Sequence, residues 1–91
     1  MRAMPLHSSV ARQNLTITRV LLSHGADVNA TQADEFTPLH KAVQNGQIEM
    51  VKLLLEFGAD PHAVKSDGKS AFDLAQEYEH PDVAGILREI E

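Results

Sequence analysis

The 91-residue chain contains no cysteine and no tryptophan. Without cysteine there are no disulfides, no thiolate metal sites and no cysteine nucleophile. Its aromatic residues are Phe36, Phe57, Phe72 and Tyr78, so a core has to be built mainly from aliphatic side chains. No apolar run approaches the roughly 20 residues that span a bilayer, the nearest being Leu53-Leu54-Leu55. Met1 to Gln13 show no apolar stretch behind their arginines, so no secretory leader is visible. Basic clusters are also missing: Lys and Arg total 8 against 13 Asp and Glu, for a net charge of −5. That balance argues against nucleic acid and anionic membranes as partners. The expectation from these absences is a cytoplasmic protein that needs no cofactor.

What the chain does have is an echo at 33 residues. Pro5-Leu6-His7 returns as Pro38-Leu39-His40, Leu21-Leu22 as Leu54-Leu55, and Gly25-Ala26-Asp27 as Gly58-Ala59-Asp60. A weaker third copy places Ser70, Phe72, Asp73 and Ala75 where Thr37, Leu39, His40 and Ala42 stand. Self-similarity at such a period implies stacked repeats, whose extended surface suits binding better than catalysis. Charge drifts along the array. Residues 1–33 carry three arginines against Asp27, residues 34–66 three lysines against five acids, and residues 67–91 seven acids against Lys69 and Arg88.

The middle copy shows the physical logic of a unit. Thr37 can cap a helix with its hydroxyl, and Pro38 follows at the first helical position, where its missing N–H costs nothing. Leu39, Ala42 and Val43 fall on one helical face, and Asn45-Gly46 ends that helix. A second helix carries Ile48, Met50, Val51, Leu53, Leu54 and Leu55, apolar around enough of its girth to be buried between neighbours. Gly58 then stands where a left-handed cap is required. A polar connector of about a dozen residues completes the unit.

These residues resemble the ankyrin repeat family. Thr37-Pro38-Leu39-His40-Lys41-Ala42 matches its T-P-L-H-x-A pattern, and Leu53 to Asp60 is similar to its closing segment. The resemblance spans residues 4 to 90. It implies an all-α solenoid of three stacked helix-turn-helix units joined by β-hairpin-like loops, a single array over residues 1–91. The units fall at about residues 4–31, 32–64 and 65–91, with fingers near Asp27 to Phe36 and Asp60 to Lys69. The last unit is a C-terminal cap: Arg88 replaces Leu55, Glu91 replaces Gly58, and Ser70 with Asp73 forms a capping-box signature. The first unit has Met4 in place of Thr37, Ser9 in place of Ala42 and Thr18 in place of Val51, and its upstream face is expected to be uncovered. In the middle finger, Glu35 stands where the third copy has Gly68, which leaves the turn geometry there open.

The function this resemblance implies is non-enzymatic binding of another protein through the finger tips and the concave helix face. Carrying the family's variable surface onto this chain marks Arg12 in the first unit. In the second it marks Asp34 and Phe36 on the finger, with Gln44 and Asn45 ending the first helix. In the third it marks Ser66, Asp67 and Lys69, with Glu77 and Tyr78. Phe36 is either an exposed anchor or a residue packed on the following helix start, and both readings stand. Self-association through the uncovered N-terminal face remains open as a further interaction. An alternative is a piece of a longer multidomain protein, a signalling, scaffold or enzyme-associated one, whose activity lies elsewhere. More remote is a metal-binding or enzymatic domain, motivated by five histidines and by Asp73 and Glu77 on one helix face. Against it, the equivalent His7 and His40 belong to helices roughly 8–10 Å apart, too far to share an ion with bonds of about 2 Å. The resemblance makes this pair structural, bonded to the neighbouring connectors. His24, His62 and His80 read as solvated, and the sequons at Asn14 and Asn29 as accidental.

Overall fold

A computed structural model of the chain describes residues 5–90; Met4 and Glu91, two of the departures noted above, lie outside them. Six helices follow in order: α1 (Pro5–Ala11), α2 (Leu15–Ser23), α3 (Pro38–Gln44), α4 (Ile48–Glu56), α5 (Ala71–Glu77) and α6 (Pro81–Glu89). They pair as α1 with α2, α3 with α4 and α5 with α6, and the pairs stack. First helices pack on first helices (α1 on α3, α3 on α5), and second helices follow the same rule. Helices of seven and nine residues are too short to be stable alone, so this stacking is what holds them.

Local chemistry sets each boundary. Thr37 accepts the His40 N–H on its hydroxyl while the His40 ring accepts the Thr37 N–H, a reciprocal cap at the start of α3. Ser70 and Asp73 repeat the arrangement at α5, as their spacing predicts. Each first helix ends in one turn, in which Gln13, Gly46 and Glu79 take left-handed φ values of 58°, 68° and 60°. Their N–H groups and those of the next residues close the last helical carbonyls in a Schellman pattern, for example Gly46 N to Val43 O and Gln47 N to Ala42 O. Only the middle unit uses glycine there.

Leu39, Ala42, Val43, Met50, Val51 and Leu54 of the middle pair are buried, flanked by Leu6, Val10 and Leu22 on one side and Leu74, Val83 and Leu87 on the other. The two polar departures in the first unit are themselves buried, and they meet. The Ser9 and Thr18 hydroxyl oxygens lie 2.7 Å apart. Since the Ser9 hydroxyl donates to the Leu6 carbonyl at 2.9 Å, Thr18 is the donor to Ser9.

The connectors are hairpin-like loops closed by few bonds. Among the described residues the fingers form no strand ladder, only an isolated antiparallel bridge between Val64 and Ser70. The middle finger is a 3-10 turn over Ala33–Glu35, with Asp34 and Glu35 both left-handed at φ 64° and 56°. Both fingers nevertheless close with matching bonds: Gln32 N to Phe36 O and Glu35 N to Gln32 O in one, Lys65 N to Lys69 O and Gly68 N to Lys65 O in the other. Glu35 therefore adopts the turn that Gly68 adopts freely, at about 1 kcal/mol or more of backbone strain.

Candidate protein-interaction surface

His40 is the joint between helix and finger. Its Nδ1 accepts the Thr37 N–H at 3.1 Å and lies 2.8 Å from the Thr37 hydroxyl, which leaves the proton on Nε2 to be donated to Ala63 O at 3.1 Å. His7 donates from Nε2 to Phe36 O at 3.2 Å, one unit earlier. Both histidines are thus bonded to the following connector, as the repeat position implies. Burial holds both imidazoles below the ordinary histidine range, against the opposing pull of their carbonyl partners. For His40 the Lys65 charge adds to the lowering and Asp67 opposes it.

A pH dependence follows. The unfolded chain takes up protons on these rings near pH 6.5, while the folded chain does so only at lower pH. Their contribution to stability is therefore complete above about pH 6.5 and is lost as pH falls through the folded values. The melting temperature is expected to decline steadily from pH 7 to 5, with two of the five histidines titrating late in ring-proton NMR. A flat melting profile across that range would count against neutral, buried imidazoles.

Phe36 belongs to this joint. Its ring is half-buried and stacks on His40, centroids 5.7 Å apart and planes at 25°, with the Lys65 ammonium 5.8 Å from its centroid. Around it the finger residues tie to one another. Ser66 N–H donates to Asp34 O at 2.9 Å and its hydroxyl reaches Asp34 Oδ1 at 3.5 Å. Lys65 pairs with Asp67 at 3.1 Å, and Lys69 with Glu77 at 2.6 Å. The Lys65 bond and the Lys69 backbone N–H keep the Asp67 carboxyl below its usual range, and the Glu77 bond raises Lys69. Deeper in the connectors, Asn29 joins two units by accepting from Asp60 N at 2.8 Å and donating to Gly58 O at 3.3 Å. The sequence marked Asn29 only as an accidental sequon and gave no sign of this joint, because its partners lie about 30 residues away.

The expected surface therefore divides in two. Asp34, Phe36, Ser66, Asp67 and Lys69 gather at the fingers, and Glu77 is drawn to them through Lys69. Arg12, Asn45 and Tyr78 form a second row at the C-terminal ends of α1, α3 and α5, one repeat position apart, and all three are exposed. The α3 helix, about 10 Å long, separates Phe36 from Gln44 and Asn45. Gln44 has a further duty: its carbonyl accepts from His80 Nε2 at 3.1 Å.

His80 corrects the reading of a solvated ring. It is half-buried and lies on Gly46, where an added Cβ would come within 2.6 Å of the imidazole. Its equivalent one unit earlier, Gln47, is buried with neither amide atom partnered. Gln47 lies in a groove of about 390 Å³ lined also by Gln13, Leu15, Ile48 and Met50. Gln13 occupies the repeat position that Gly46 holds beneath His80. His24 and His62 are exposed, as expected. Asp73 and Glu77 do not act as a carboxylate pair, since Asp73 caps Ser70 N and Glu77 binds Lys69. Among the described residues, no cluster of three or more His, Asp or Glu could hold a metal ion. No helix described is long and apolar enough to cross a membrane.

Three stacked helix pairs with shared buried positions and unlike exposed ones define a helical tandem-repeat protein. Ankyrin repeats, in three copies, match residues 6–91, and the chain belongs to the ankyrin repeat family. Ankyrin repeats are generally protein–protein interaction modules. No curated protein sequence matches the chain.

Proposed function

We propose that this chain is a non-enzymatic binding module that engages a partner protein across its finger tips and first-helix ends. The observation that carries the reading is the row Arg12, Asn45 and Tyr78. One repeat position, exposed in every unit, holds a cation, an amide and an aromatic, while Leu21, Leu54 and Leu87 keep one apolar position of the stack the same in all three units. A shared helical frame with unlike exposed residues can supply rigidity without dictating specificity. Tyr78 is the anchor of choice, being 44% exposed and combining apolar area with a hydroxyl. The finger residues Asp34, Ser66, Asp67, Lys69 and Glu77 are already paired with one another or with Lys65. They would therefore contribute shape and orientation more than net charge attraction.

Affinity capture with the intact chain, followed by titration of the recovered protein, tests this. Tyr78→Ala should weaken binding roughly tenfold or more and leave the melting temperature within about 1–2 °C. Phe36→Ala should lower both affinity and stability, because its ring supports His40. Equal binding by the wild type and Tyr78→Ala, Asn45→Ala and Asp34→Ala variants would remove this surface from consideration.

A further inference from the structure

The chain has three asparagines, and the fold holds two of them by their side chains. Asn14 accepts the Ile17 N–H at 3.0 Å on its side-chain oxygen, and Asn29 is bonded to Gly58 O and Asp60 N. Asn45 is exposed, and among the described residues its side-chain amide has no hydrogen-bond partner. It is also the one followed by glycine, whereas Leu15 and Ala30 follow the others. That pairing matters chemically. The backbone nitrogen after an asparagine can attack the side-chain amide carbon within the same chain, and only glycine leaves that nitrogen clear of a following Cβ.

Two features of the fold oppose the attack. Ring closure requires Cβ of Asn45 and N of Gly46 to be eclipsed about the Cα–C bond. The observed ψ of −2° instead eclipses the Gly46 nitrogen with the backbone nitrogen of Asn45. The Gly46 N–H is also committed to Val43 O at 3.0 Å, and the Gln47 N–H to Ala42 O at 3.0 Å. Reaction therefore proceeds from a state in which the last turn of α3 has opened. His80 bears on that opening. Its ring donates to Gln44 O at 3.1 Å and lies over Gly46, so the third unit holds the chain on both sides of Asn45.

We propose that Asn45–Gly46 is a self-modifying site, a deamidating turn whose rate is set by how firmly His80 holds the end of α3. In the opened turn the Gly46 nitrogen gives up its proton and bonds to Asn45 Cγ. The Cγ–Nδ2 bond breaks, and the amide nitrogen leaves as ammonia after taking up one proton, which gives a five-membered imide. Water opens the imide at either carbonyl and leaves an aspartate or an isoaspartate at position 45. Either product adds one negative charge to a chain already at −5. That charge stands at the C-terminal end of α3, where the helix dipole disfavours an anion. The isoaspartate also inserts a methylene into the main chain of the turn that meets His80. Modification thus loosens the packing of the second unit on the third. It also alters the middle residue of the exposed row, a consequence for binding that rests on the function proposed above.

Peptide-mapping mass spectrometry of the intact chain, incubated in mildly alkaline buffer both folded and in guanidinium, tests this. The mass gain of an amide turned into an acid should appear at Asn45 well ahead of Asn14 and Asn29 in both conditions. Folding should slow it, and the slowing should match the hydrogen-exchange protection of the Gly46 amide within about threefold, since both need the same opening. His80→Ala should speed the folded-state reaction about threefold to tenfold, the effect of one hydrogen bond, and leave the rate in guanidinium unchanged. If His80→Ala unfolds the chain, the wild-type match to Gly46 protection decides alone. Earlier reaction at Asn14 or Asn29, no reaction at Asn45, equal rates folded and unfolded, or a slowing unrelated to Gly46 protection overturns the proposal. An unchanged rate in folded His80→Ala overturns the control assigned to that ring. None of these readouts involves a partner, so the exposed row stands or falls by its own binding test.

Discussion

His40→Ala is expected to destabilise the chain by about 3–4 kcal/mol, a large share of the roughly 5–14 kcal/mol available to a domain of this length. The imidazole is 1% exposed, so its removal leaves a cavity. It also leaves the Thr37 N–H without its ring acceptor and Ala63 O without its donor, inside a joint where water enters poorly. Urea unfolding should show the midpoint shift, and the melting temperature should fall by roughly 12–30 °C. His7→Ala should cost less, because among the described residues His7 makes a single side-chain bond, to Phe36 O, and its Nδ1 has no partner. His40→Asn should recover part of the loss. Its side-chain oxygen can replace Nδ1 as acceptor for Thr37, but it is too short to reach Ala63. A loss below about 1 kcal/mol in His40→Ala would mean that the finger is held by other contacts.

The second large effect is a coupling between Ser9 and Thr18. Ser9→Ala alone should cost about 2 kcal/mol, since the fully buried Thr18 hydroxyl loses its acceptor and the Leu6 carbonyl loses a donor. Thr18→Val should cost less, because Ser9 keeps its bond to Leu6. The double variant should return to wild-type stability or exceed it, because it recreates the Ala42 and Val51 pair, both 0% exposed in the middle unit. The expected coupling is about 1–2 kcal/mol by double-mutant cycle. Additive losses would show that the two hydroxyls are satisfied separately.

Both predictions mark how far the sequence could be read. His40 was legible as a structural residue because it recurs at one repeat position and sits in a recognisable pattern. Its bond to the following connector is what that resemblance implied. Ser9 and Thr18 were legible only as two separate departures from the middle copy. Nine residues apart, on different helices, they have no sequence rule to join them, and only the antiparallel packing of α1 on α2 brings their oxygens to 2.7 Å. The caps at Thr37 and Ser70 were predictable because a cap is a contact over three residues. The middle finger was not, because its bonds are those of the Gly68 turn although Asp34 and Glu35 would ordinarily avoid that backbone.

The surface divides along the same line. Exposure of Arg12, Asn45 and Tyr78 follows from their place in the period. The half-burial of Phe36 on His40 and the lodging of His80 over Gly46 depend on which side chain of one unit meets which backbone of the next. For Phe36, two readings stood open, and its packing on His40 is the one the structure adopts.

The sequence by itself determined the period, the helix pairs, their caps and the recurring apolar positions, because these depend on contacts within a unit or on a spacing that repeats. Only the tertiary structure decided which departures from the repeat compensate one another and which candidate residues share a patch. Those outcomes arise between units, where proximity is set by stacking and no longer by distance along the chain.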